Sequence, residues 1–108
     1  MSKTVEILRK ARALIKGGWC KESPTKPAKP KKNGWPRRQK TRYCATGAIA
    51  QANQIDVKAV SNTAAYAHLQ RATGGVIPEY FNDDPWTTKR KMLKAFGRAI
   101  AAAEKADD

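Results

Sequence analysis

Apolar residues recur at helical spacing through most of this chain and all but vanish from one long stretch. Ile7, Leu8, Ala11, Leu14 and Ile15 make a stripe with Arg9, Arg12 and Lys16 off it. That pattern predicts a first helix over 3–17, opened by Ser2 or Thr4. Gly17-Gly18 is expected to stop it by taking the left-handed conformation of a helix end, with Trp19 folding back as a lid on the core. In Thr41–Asn53, TRYCATGAIAQAN, the small residues Cys44, Gly47, Ala48 and Ala52 fall three or four apart. This reads as a buried central helix over 42–53, capped by Thr41, whose bulk-free stripe admits a neighbouring helix backbone. A third helix is expected over 56–73, with Asp56 as its cap, an interruption at Ser61-Asn62-Thr63 and a stop at Gly74-Gly75. Val76-Ile77-Pro78 reads as extended and Asn82-Asp83-Asp84-Pro85 as a tight turn. The last helix, over 87–105 with Thr87 or Thr88 as cap, carries the apolar face Met92, Leu93, Phe96, Ala99, Ile100 and Ala103.

The exceptional stretch is Lys21–Arg42, with nine Lys or Arg against one Glu and four of the six prolines. Pro24, Pro27 and Pro30 recur every third residue, which excludes a helix and suits an extended, polyproline-like segment. Self-repulsion and the lack of apolar groups predict a mobile loop. The fold class expected is therefore all-α: one domain over 1–108, four helices, a flexible basic loop over 21–42 and a frayed tail over 106–108.

Eighteen of the apolar residues are alanine, so the core is small and close helix approach must supply what bulk does not. The net charge of +13 predicts association with a polyanion, nucleic acid first and an acidic protein surface second. No apolar run approaches the ~20 residues of a membrane span. The N-terminus lacks the order of a signal peptide. A cytoplasmic protein with two free thiols, Cys20 and Cys44, is the expectation.

GWC after the first helix, YCATGAIAQA, and FNDDPWTTKRKMLKAFGRAI together resemble an uncharacterised family of small bacterial and phage proteins. Its members share a helix ending in Gly-Trp, a Cys-Ala-x-Gly-Ala helix, and an Asn-Asp turn before a Thr-capped helix. The resemblance covers nearly the whole chain except Lys21–Lys40 and implies a shared fold with no assigned activity. The basic insert departs from the family pattern.

Three kinds of site follow from the residues. A polyanion site would use Lys26, Lys29, Lys31, Lys32, Arg37, Arg38, Lys40 and Arg42 to neutralise phosphates, with Trp35 stacking on an unpaired base. Lys89, Arg90, Lys91, Lys94 and Arg98 of the last helix would assist. A small interaction protein docking on a host protein is the alternative use of the same groups, with Trp35 as the anchor. An outside candidate for catalysis is Cys44 with His68, the single histidine, and Asp83 or its neighbours Asn82 or Asp84, in a Cys-His-Asp/Asn arrangement. Cys20, Cys44 and His68 are spaced unlike any common zinc site, and neither a metal nor a cofactor is expected.

Overall fold

The apolar stripes fold as helices, and the basic stretch folds as a ribbon. In the computed structural model of the protein, which describes residues 3–106, α1 spans Lys3–Gly17, α2 Ala45–Asn53, α3 Ala64–Ala72, α4 Pro78–Asp83 and α5 Lys89–Ala106. A 3-10 segment, Val57–Asn62, precedes α3, and two strands, β1 (Thr25–Pro27) and β2 (Thr41–Tyr43), bracket the tip of the basic stretch. Ser2, Asp107 and Asp108, expected as a helix opener and a frayed tail, lie outside the described residues.

The four-helix, all-α expectation is overturned. The chain is 61% helical, but its described residues form six helical segments and a two-stranded antiparallel sheet. Thr25 pairs with Tyr43, Lys26 with Arg42 and Pro27 with Thr41. Thr41 therefore lies in a strand, and the N-cap of α2 is Cys44, whose Sγ accepts from the Gly47 amide at 3.4 Å. The region over 56–73 divides in two. Asp56 caps the 3-10 segment through the Lys58 amide, and Thr63 restarts the chain as the N-cap of α3 by accepting from the Tyr66 amide. Pro78, expected to be extended, opens α4, because its fixed φ suits a first helical turn. Asn82 and Asp83 are helical, and the turn comes one residue later, where Asp84 Oδ1 accepts from the Trp86 amide. Thr88 caps α5 through the Lys91 amide.

One apolar cluster joins these elements. Val5, Leu8, Ala11 and Ile15 of α1 face Ala48 and Ile49 of α2, Leu69 of α3, and Met92, Phe96, Ala99 and Ala103 of α5. The element at the centre is α1, which packs on α2, α3 and α5, rather than α2 as its small residues suggested. What approaches closely at Gly47 is not a helix but the Pro24 carbonyl at the foot of β1. Gly74 and Gly75 do stop α3 with positive φ. Gly17 and Gly18 do not stop α1 that way. Their missing side chains make room for Gln39, just before the returning strand, and for Arg42 within it.

Candidate functional site

The basic stretch is tied down by its own backbone and by one glutamine. Beyond the β1–β2 pairs, the Ala28 amide donates to Lys40 O at 2.9 Å, and a turn at the tip closes through Gly34 N to Lys31 O and Lys31 N to Trp35 O. Gln39 Nε2 donates to Leu14 O of α1 and to Thr41 O, stitching the ribbon to the end of the first helix. The stretch expected as a loop thus carries an antiparallel strand pair and lies against the end of α1. Period-three prolines did not prevent pairing, because only Pro27 lies within a strand of this two-stranded sheet.

Laying the hairpin there gathers cations from separate parts of the chain. Lys29 and Arg37 of the hairpin, Arg42 of β2 and Lys89 of α5 line a cavity of about 240 Å³ with Gly17, Gly18, Trp19 and Ala28. A second hollow of about 490 Å³ is lined by Gly17, Lys31, Pro36, Arg37, Arg38 and Gln39. The two share Gly17 and Arg37, so they form one basic groove. Two guanidinium planes in it are oriented by main-chain acceptors, Arg37 Nε on Lys29 O at 3.1 Å and Arg42 Nε on Pro27 O at 2.9 Å. Such a groove presents fixed, forked donors to phosphate oxygens.

Of the residues expected to bind a polyanion, Lys29, Lys31, Arg37, Arg38, Arg42 and Lys89 meet in this groove. Lys26 is half-buried in β1 opposite Arg42, while Lys32 and Lys40 are exposed on the hairpin and outside the groove lining. Trp35 stands at the tip, 68% exposed, with its amide donating to Asn33 Oδ1. On α5, Arg90, Lys94 and Arg98 are exposed but do not line the groove, and Lys91 Nζ donates to Trp86 O. Trp86, 80% exposed, and Tyr80 are surface aromatics that sequence reasoning passed over.

The three stretches that carry the family resemblance converge at a second place, on the side chain of Asn82. This asparagine is 1% exposed. Its Oδ1 accepts from Trp19 Nε1 at 2.7 Å and from the Ala45 amide at 3.0 Å, and its Nδ2 donates to Cys20 O at 3.1 Å and to Asp83 Oδ1 at 3.0 Å. Asp83 Oδ1 in turn accepts from the Glu22 amide. One carboxamide thereby joins the end of the first helix, the start of the second and the C-terminal end of α4. The Asn-Asp pair was legible as a motif, but its buried partners were not.

Beside this junction lies a hollow of about 170 Å³ lined by Glu22, Ser23, Pro24, Cys44, Thr46, Glu79, Asn82 and Asp83. It holds two members of the expected Cys-His-Asp set. His68 is buried on α3 and is not part of that lining. Cys44 Sγ accepts from the Gly47 amide and lies 3.2 Å from Thr46 Oγ1, as a helix cap does. Among the described residues, no group of three or more His, Cys, Asp or Glu side chains is placed to hold a metal ion. Nor is any helix among them long and apolar enough to cross a membrane.

The sequence model of the family of unknown function DUF6197 matches residues 1–102. The chain belongs to DUF6197. Comparison with curated proteins and with solved structures found no match.

In this DUF6197 chain, one polar contact near the Asn82 junction titrates in an accessible range. The Tyr66 hydroxyl donates to Glu79 Oε1 at 2.9 Å, and burial, reinforced by that hydrogen bond and the carboxylate's charge, raises its pKa from 10.0 to about 12. A phenol with a raised folded pKa contributes stability that is complete below the unfolded value and is lost as pH rises through the folded one. Stability is therefore expected to fall between about pH 10 and 12. Tyr66→Phe should remove that part of the fall, as read from denaturant midpoints across the window. An unchanged slope in the variant would show that Tyr66 is not its source.

Proposed function

We propose that this protein is a non-enzymatic binding module that holds nucleic acid through its basic hairpin. One observation carries the reading: Lys29, Arg37 and Arg42 of the hairpin region and Lys89 of α5, far apart in sequence, line a single cavity. Like charges cost free energy when brought together, and a phosphate backbone removes that cost while releasing its own counterions. Trp35 at the exposed tip adds a surface on which an unpaired base can stack, which favours single strands over duplex. Main-chain acceptors already orient two of the arginines, so less side-chain freedom is lost on binding. The reading places the protein in the cytoplasm, where nucleic acid is abundant.

The test is fluorescence anisotropy with labelled single-stranded and duplex oligonucleotides over a salt series. Affinity is expected to fall steeply with salt, and Lys29→Glu with Lys89→Glu should lower it by about tenfold or more at moderate ionic strength. Lys58→Glu with Lys105→Glu makes the same charge change outside the cavity lining and should have a much smaller effect. Trp35→Ala should weaken single-strand binding more than duplex binding. Equal losses in the two double variants would reduce the binding to net charge and overturn the reading, turning attention to an acidic protein partner.

A further inference from the structure

The hairpin leaves and rejoins the helical body through two cysteines. Just before them the chain segments pair in parallel, Trp19 beside Tyr43, through the Tyr43 amide on Gly18 O at 2.8 Å and the Cys20 amide on Tyr43 O at 3.2 Å. One residue further along each segment come Cys20 and Cys44. Side chains alternate along extended backbone, and Cys44 is extended at φ −81° and ψ 176°. The two thiols therefore project together, on the face opposite Trp19 and Tyr43. Both are buried and both are free thiols. At the paired step, Trp19 beside Tyr43, such segments lie about 4.8 Å apart, and the cysteines one residue on start from that spacing, against the roughly 4.4–6.8 Å between Cα atoms that a disulfide spans. Just past this step the Asn82 carboxamide sits between the segments, bonded to Cys20 O and to the Ala45 amide, and ties one to the other. Burial and the nearby Cys44 sulfur both push the Cys20 thiol's pKa up, which fits two sulfurs in close company.

We infer that Cys20 and Cys44 are a redox modification site: an intrachain disulfide pair that locks the two feet of the basic hairpin. The co-reactant is a low-molecular-weight disulfide. Cys44, which lines the hollow beside the junction, loses its proton and attacks one sulfur of that molecule. The small molecule's S–S bond breaks, and its other half leaves as a thiolate that takes up a proton. Cys20 then loses its proton and attacks the Cys44 sulfur of the mixed disulfide, expelling the second half as a thiol. Two protein thiols are oxidised and one small disulfide is reduced to two thiols. Oxidation ends the Cys20 S–H bond to Ser23 O and draws Cys44 from its cap on Gly47. In exchange, residues 21–43 become a covalently closed loop.

The inference stands whether or not the hairpin binds nucleic acid, because its test reads the sulfur atoms. The folded full-length protein is incubated with oxidised glutathione, then digested without reductant and mapped by mass spectrometry. The expected product is a monomer lighter by two hydrogen atoms, with one peptide pair linked through Cys20 and Cys44 and reversed by dithiothreitol. Cys20→Ser should instead retain glutathione on Cys44, since the second attack has no nucleophile. A wild-type protein that accumulates glutathione on Cys44 with Cys20 free would overturn the inference. So would one that stays fully reduced, or crosslinks only between molecules, while its urea-unfolded form reacts.

Discussion

Asn82→Ala is expected to destabilise the protein by about 3–5 kcal/mol, read as a shift in the urea or thermal midpoint. The side chain makes four hydrogen bonds from a position 1% exposed. Truncation leaves the Ala45 amide and the Cys20 carbonyl facing each other across a gap neither chain can close. Each buried group without a partner costs about 1–3 kcal/mol, and the lost Trp19 contact adds to that. Asn82→Asp separates the two halves of the amide. Its oxygen can still accept from Trp19 and Ala45, but the donor to Cys20 O is gone and a carboxylate now sits against Asp83. Repulsion raises that carboxyl's folded pKa, so its penalty grows as pH rises through it and shrinks below it. The aspartate variant should therefore recover stability on mild acidification while the alanine variant does not. Equal, pH-independent losses in both would show that the loss is one of packing and not of hydrogen bonding.

Gly47→Ala is the second large effect expected, a loss of about 3 kcal/mol. A Cβ at Gly47 would overlap the Pro24 carbonyl oxygen. That oxygen cannot simply withdraw, because it accepts from the Cys44 amide at 3.1 Å. The strain must be relieved by moving the foot of the hairpin away from α2, so the variant should also gain protease sensitivity between Pro24 and Tyr43. Gly97→Ala is the control. A Cβ there meets open space within α5, and alanine should add roughly 0.5–1 kcal/mol through helix propensity. A Gly47→Ala protein as stable as the wild type would mean that the hairpin foot yields without cost.

Several local features were legible because they depend on near neighbours. The stripe from Ile7 to Ile15 and the face from Met92 to Ala103 became the buried faces of α1 and α5. Asp56, the restart at Thr63, the cap at Thr88 and the stop at Gly74-Gly75 acted through residues two to five positions away. Other readings failed where the deciding partner was remote in sequence. Thr41 looked like a cap but pairs with Pro27 in a strand, and Cys44 does the capping. Gly47 looked like a helix-packing position but receives a carbonyl from a strand. Asn82 looked like a turn residue, and nothing near it in sequence announces Trp19, Cys20 and Ala45 as its partners.

The sequence by itself determined the charge, the helical periods, the caps whose partners are local, and the membership of DUF6197. Tertiary structure alone decided that the basic stretch carries a strand pair laid against α1, that five of its cations share a groove with Lys89, and that Trp19 and Tyr43 pair just before the two cysteines. The physical reason is reach. Periodicity and capping act over a turn of helix. A groove lined from three elements, or a carboxamide bonded to residues more than thirty positions away from it, exists only once the core has brought those segments together.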